Sequence, residues 1–200
     1  MNSKFFDLKK EKQDRMINAA LKVFAMNGYR HASTDDMVRE ASISKGLLFH
    51  YFGSKLGVYT FVYDYSVRYL ALELRSNVNK NETDLFELMK QVECARMHAM
   101  SGYPYMQMFL NRSMTEEDTE ALSAVAEKKH NLEELFDEIY SRIELSSLPA
   151  GVDGDKLRRM LDHTMKGLMN ERFLESSFQP ERVYREIVDY LDLMHSLVYR

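Results

Sequence analysis

The stretch ISKGLLFHYFGSK, residues 43–55, sets a lysine near each end of a run of apolar and aromatic residues around one histidine. Ser33, Thr34, Tyr51 and Lys55 fall at the ends of short helical segments, where hydroxyls, backbone N–H groups and ammonium groups hold phosphates. Leu47 and Phe49 offer apolar contact to thymine methyls, and Lys45 can reach the O6/N7 edge of a guanine. This is the chemistry of holding and reading a duplex. For bond making the sequence offers little: no Ser/His/Asp constellation, glycine-rich phosphate loop or dinucleotide fingerprint occurs. Glu127/His130 and Asp192/His195 have the i, i+3 spacing of di-iron helix bundles. That chemistry also needs glutamates from two partner helices, and Glu127 sits among Lys128, Lys129, Glu133 and Glu134 as on a solvated face. A non-enzyme without a metal or cofactor is therefore expected.

The positions of these groups depend on the helices that carry them. At about 100° per residue, Leu48 and Phe52 share one side of a helix over 45–52, flanked by Ser44 and Tyr51. Gly46, Leu47 and His50 lie opposite, with Phe49 beside them. Upstream, Met16, Ile17, Ala20, Val23 and Phe24 form an apolar stripe on a helix over 11–26, ended by Asn27-Gly28. Ser33 or Thr34 caps a second helix over 34–41, with Asp35 and Asp36 at its positive end and Met37, Val38 and Ala41 inward. Ser42-Ile43-Ser44 makes a tight turn, and Ser44 caps the third helix. Leu48 and Phe52 then fill a small core and leave Leu47, Phe49 and His50 facing outward. Two short helices joined in this way form a helix-turn-helix unit, whose second helix enters a major groove. A helix ~10–12 Å in diameter fits a groove about 12 Å wide.

Beyond Gly53-Ser54, a fourth helix keeps its period through Val58, Phe61, Val62, Tyr65, Tyr69 and Leu72 to about residue 77. Further helices are predicted over 83–100, 105–111, 115–144, 155–176 and 180–199, broken at Gly102, at Pro104 and in SSLPAGVDGD, residues 146–155. With three prolines and eight glycines in 200 residues and much Leu, Met, Glu and Lys, the chain reads as all-α.

The net charge of −4 hides an asymmetry: residues 1–60 hold 10 Lys/Arg against 6 Asp/Glu, and the other 140 hold 17 against 25. A basic first third suits a polyanionic partner. Cys94 is the only cysteine, which excludes an intrachain disulfide and two-cysteine metal or redox motifs. No apolar run approaches the ~20 residues of a membrane span, and MNSKFFDLKKEK lacks the apolar core of a signal peptide. The cytoplasm is the expected compartment, with no membrane partner.

The segment from about residue 15 to residue 70, above all INAALKVFAMNGYRHASTDDMVREASISKGLLFHYFGSK, resembles the DNA-binding domain of the TetR family of transcriptional regulators. The family pattern aliphatic–Ser–Lys–Gly–x–Leu–aromatic–His–Tyr–Phe–x–Ser–Lys is matched by residues 43–55. The resemblance implies an all-helical homodimer. A DNA-binding domain over 1–53 would be joined by a long fourth helix to a ligand-binding and dimerisation domain over 54–200. It implies phosphate contacts from Ser33, Thr34, His50, Tyr51 and Lys55, and base-edge contacts from Lys45, Gly46 (by backbone approach), Leu47 and Phe49. Ser44 is counted with the DNA-contacting residues. Leu47 stands where a small or hydroxyl residue is usual and Phe49 where Tyr is frequent, so readout shifts toward apolar contact and shape. Ser42 replaces a frequent turn Gly, and Leu56-Gly57 a common acidic pair.

In the last two helices Leu157, Met160, Leu161, Thr164, Leu168 and Met169 line one stripe. Val183, Ile187, Tyr190, Leu191, Met194, Leu197 and Val198 line the other. Both stripes are broader than one core contact requires, and the resemblance implies a four-helix interface between protomers. Leu157, Leu161, Leu168, Ile187, Leu191, Met194 and Val198 are the expected interface residues. Fourteen methionines suit an adaptable pocket. Met89, Cys94, Met97, His98, Tyr105, Met106, Phe109, Met165, Met169 and Phe173 are its expected lining for a small, largely apolar effector, with His98, His163 or Arg96 as polar anchor. The expected function is a homodimeric repressor released from a near-palindromic operator by that effector. The alternative is a helical protein-interaction module whose exposed aromatic helix docks a protein.

Overall fold

A computed structural model describes residues 3–173, 175 and 178–200. The described residues form nine α-helices and two short 3-10 helices, with no strand, so the fold is all-α. The helices are α1 (Lys10–His31), α2 (Thr34–Ala41), α3 (Lys45–Phe52), α4 (Lys55–Asn77), α5 (Leu85–Gly102), α6 (Met106–Ser113), α7 (Thr119–Tyr140), α8 (Gly154–Phe173) and α9 (Pro180–Val198). The expected end of the eighth helix, Ser176, lies outside the described residues.

Two departures from the sequence reading have clear causes. At Gly28, φ is 67° and ψ is 179°, so α1 breaks where expected but then completes one more turn to His31. The Glu116 carboxylate accepts the Tyr29 N–H at 2.7 Å just past that break. Helix α7 begins later than residue 115 because the Asp118 carboxylate accepts the Ala121 N–H at 3.0 Å and caps it there.

Two compact units divide the chain: Met1–Tyr69 with Tyr103–Leu132, and Leu70–Gly102 with Glu133–Arg200. In the first, α1 packs on α2 and α6, and α2 on α3. Ile17, Leu21 and Phe24 of α1, Met37 of α2 and Leu48 of α3 are buried. Phe24, Tyr59 and Phe109 form an aromatic centre, with ring centroids 5.0 Å apart for Phe24–Tyr59 and 5.5 Å for Tyr59–Phe109. The 3-10 helix Ser3–Asp7 also belongs here, with Phe5 fully buried. Periodicity could not announce a five-residue element held by tertiary contact.

In the second unit α5 packs along α9, and Val183, Ile187 and Leu191 are buried at four-residue spacing. Lys90 of α5 pairs with Asp192 of α9 at 2.7 Å. One turn along α5, Glu93 and Arg96 form a buried ion pair, with the guanidinium 5.2 Å from the Phe136 ring centre. Burial pushes the Glu93 carboxyl up, and the charge of Arg96 opposes that shift. Glu93 Oε2 and Arg96 Nε find no hydrogen-bond partner among the described residues.

Candidate nucleic-acid interface

Both helices of the helix-turn-helix unit begin with a working cap. Ser33 Oγ accepts the N–H groups of Asp35 at 3.2 Å and Asp36 at 3.4 Å. Ser44 Oγ accepts the Leu47 N–H at 3.2 Å. Each serine thus satisfies donors that a helix start leaves open. Between the helices, Ser42 adopts φ 53° and ψ 51°, the left-handed conformation that a glycine takes at lower cost. The Ile43 N–H closes the turn on the Val38 carbonyl at 3.0 Å. The turn survives without its glycine, at a strain of about 1 kcal/mol.

On α3 the faces separate much as the spacing predicts. Leu48 and Phe52 are buried, and so is Tyr51 at 8% exposure. Leu47 and Phe49 are half-buried, and Gly46 and His50 are exposed. A Cβ added to Gly46 would meet nothing within 4 Å, so the fold does not require a glycine there. Gly57 differs: its Cβ would lie 1.9 Å from the Phe52 carbonyl oxygen, so α4 can approach α3 only with glycine at that position. This accounts for Gly57 in that departure, while nothing in the structure explains Leu56.

The cations have unequal commitments. Lys45 pairs with Asp35 at 2.9 Å, with the two side chains 51% and 68% exposed. An exposed pair of this kind contributes roughly 0–1 kcal/mol, so Lys45 can leave it for a base edge or phosphate at little cost. Lys55 is placed otherwise than expected. Its ammonium donates to the carbonyls of Tyr29 at 2.9 Å, Arg30 at 3.3 Å and Ala32 at 3.4 Å. Those contacts use its three donors at the C-terminal end of α1, so the Lys55 ammonium is engaged within the protein in this conformation. Thr34 and Ser33 are half-buried at the start of α2, and the His50 ring meets Tyr51 edge-on at 5.0 Å.

The expected dimer-face residues differ in exposure. Leu157, Leu161, Leu168, Ile187 and Leu191 are 9% exposed or less and fill the protomer's own core. Only Met194 and Val198 of that set are half-buried. The outward apolar surface consists instead of Met160 on α8 and Tyr190, Leu193 and Leu197 on α9, each 41–53% exposed. Each stripe wraps past one face of its helix, and spacing alone cannot say which part meets the core.

The expected effector lining is divided between the units. Tyr105, Met106 and Phe109 belong to the first, where Phe109 is part of the aromatic centre. Met89, Met165, Met169 and Phe173 are buried in the second, Cys94 and Met97 are half-buried, and His98 is exposed. The cavities described have other linings. One of 560 Å³ is lined by Gly28, Arg30, Arg112 and Glu116, among others. One of 320 Å³ lies beside Tyr140 and Arg158, and one of 550 Å³ runs along Lys156, Met160 and His163 of α8. His163 lines that last groove, and Arg96 is held by Glu93. The Glu127/His130 and Asp192/His195 pairs do not gather ligands: among the described residues no three His, Cys, Asp or Glu side chains come together to hold a metal. No described helix is long and apolar enough to cross a membrane.

These elements define an all-α helix-turn-helix protein, and known proteins agree. The sequence model for bacterial regulatory proteins of the tetR family matches residues 16–59. The HTH-type transcriptional regulator YuxN of Bacillus subtilis (strain 168) is 41% identical over 59 residues, 28% of this chain. That match spans 20% of the relative's length. A TetR family transcriptional regulator from Chloroflexus aurantiacus J-10-FL superposes at TM-score 0.66 and 20% identity, covering 98% of this chain and 95% of that one. FadR from Bacillus subtilis, solved in complex with stearoyl-CoA, superposes at 0.60 and 16% identity over 88% and 96% of the two chains. Residues 16–59 thus match the tetR-family sequence model, and the chain shares the fold of these solved TetR family regulators.

Proposed function

We propose that the chain is a homodimeric, DNA-binding transcriptional regulator, a repressor that leaves a near-palindromic operator when a small, largely apolar effector binds. The observation that carries this reading is the outward face of α3. Gly46, Leu47, Phe49 and His50 stay accessible on a rod capped by Ser44, while Leu48, Tyr51 and Phe52 anchor the rod. Leu47 and Phe49 read thymine methyls and Lys45 a guanine edge. Ser33, Thr34, Ser44, His50 and the Tyr51 hydroxyl hold the flanking phosphates.

Residues 1–53 carry the DNA-binding role, and 54–200 pair the protomers and receive the effector. A second copy covers Met160, Tyr190, Leu193 and Leu197, exposed apolar residues that α8 and α9 carry together. Two-fold pairing sets the two recognition helices one or more DNA turns, ~34 Å, apart. Met89, Met97, Met165 and Met169 of the second unit suit an adaptable apolar ligand, and long-chain acyl compounds are reasonable first probes given the FadR complex. Helix α4, within which the two units meet in sequence between Tyr69 and Leu70, transmits the change. The effector acts through its differential affinity for the two conformers.

In vitro selection from random duplexes tests this function. Enrichment of a near-palindrome with a fixed half-site spacing is expected, and a pool that stays random would overturn it.

A further inference from the structure

The 3-10 helix Ser3–Asp7 lies outside the helix-turn-helix unit and upstream of the family match, which begins at residue 16. This turn is held in two ways. The Phe5 ring, fully buried, packs 5.7 Å from Tyr51 and 5.2 Å from Phe52 on the last turn of α3, and 5.0 Å from Phe61 on α4. The Gln13 amide donates to the carbonyls of Phe6 at 3.1 Å and Leu8 at 2.8 Å. Burial of one phenylalanine contributes about 1.5–3 kcal/mol, and here it holds a turn against the end of the recognition helix.

Lys4 precedes Phe5, its Cα held about 3.8 Å from that of Phe5, and its side chain is exposed. It belongs to the turn whose Phe5 ring packs on Tyr51, next to the end of α3 proposed to meet phosphate.

We propose that Ser3–Asp7 is a preformed part of the DNA-binding surface, in which Phe5 fixes the turn against α3 and Lys4 contacts a phosphate flanking the half-site. The proposal rests on the reading that α3 enters the groove. A contact carried on a turn that is already ordered avoids the ordering cost that a loose arm meets on binding. It strengthens selected and unrelated sequences alike, because phosphates carry no sequence.

The test is the salt dependence of binding by full-length protein, measured by fluorescence anisotropy on the wild-type-selected duplex and on a scrambled one. Lys4→Ala is expected to lower the slope of log K against log salt by about one unit and to weaken both duplexes by the same factor. Lys4→Arg is expected to keep the wild-type slope. Phe5→Ala opens the aromatic cluster, so the decision rests on the two surface variants at Lys4. An unchanged slope in Lys4→Ala, or a slope that Lys4→Arg fails to retain, overturns the proposal while leaving wild-type selection intact. A wild-type protein that enriches no duplex fails earlier, at the reading beneath it.

Discussion

The Lys55 ammonium lies 2.9 Å from the Tyr29 carbonyl oxygen and 4.5 Å from the centre of the Tyr29 ring, joining the first residue of α4 to the last turn of α1. Helix α1 ends in carbonyls that no further turn can satisfy, and a cation there also complements the helix dipole. Lys55→Ala is expected to lower the stability of the protein by about 1.5–3 kcal/mol, the range for hydrogen bonds to a charged group. Urea denaturation should show a lower midpoint with an unchanged slope. A variant as stable as wild type that instead loses about one unit of salt slope in DNA binding would return Lys55 to the phosphate contacts.

Gly46 separates stability from recognition. Its added Cβ meets nothing, so Gly46→Ala is expected to stabilise the free protein by about 0.5–1 kcal/mol through lower backbone entropy. The same methyl faces the proposed groove, and binding of the selected duplex should weaken about tenfold, the equivalent of one added methyl under close packing. Thermal melts and anisotropy measure the two effects. Unchanged or tighter DNA binding would remove the close approach assigned to this position.

The buried Glu93–Arg96 pair makes a different prediction. Arg96→Met alone strands a carboxylate in the interior and is expected to cost about 3–5 kcal/mol. Combining it with Glu93→Leu should recover most of that loss, since a buried pair replaced by packed apolar side chains is often neutral or stabilising. A double-mutant cycle in urea reads the coupling. A double variant no better than Arg96→Met would contradict the account of these two groups as a costly, mutually dependent pair.

The division of α9 predicts opposite outcomes two residues apart. Leu193→Glu, on the exposed face, is expected to give a folded monomer in sedimentation equilibrium, with helix content unchanged by circular dichroism. Leu191→Glu, fully buried, is expected to unfold the second unit rather than merely to separate protomers. A Leu193→Glu protein that still sediments as a dimer would place the interface elsewhere.

Much of the fold was legible because its ends are written in side chains. Helices α2 and α3 run between a serine cap and a left-handed residue, so their predicted limits, 34–41 and 45–52, coincide with the observed ones. The outward face of α3 followed from period alone. Features set by tertiary contact were not legible. The Phe5 turn has too few residues to show a period. The three carbonyls around Lys55 come together only after α1 breaks at Gly28. The expected interface residues Leu161 and Leu191 belong to stripes that each serve a core and a surface, and their spacing marks no boundary between the two. The effector lining named from methionine and aromatic content spans residues of both compact units, a division that composition cannot reveal.

The central claim is that Leu47 and Phe49 on α3 read base edges. It is tested most directly by repeating the duplex selection with Phe49→Ala and comparing the enriched motif with that of the wild type. The account predicts relaxed preference at the same one or two positions in each half-site, with half-site spacing preserved. An identical motif, bound uniformly more weakly, would contradict it.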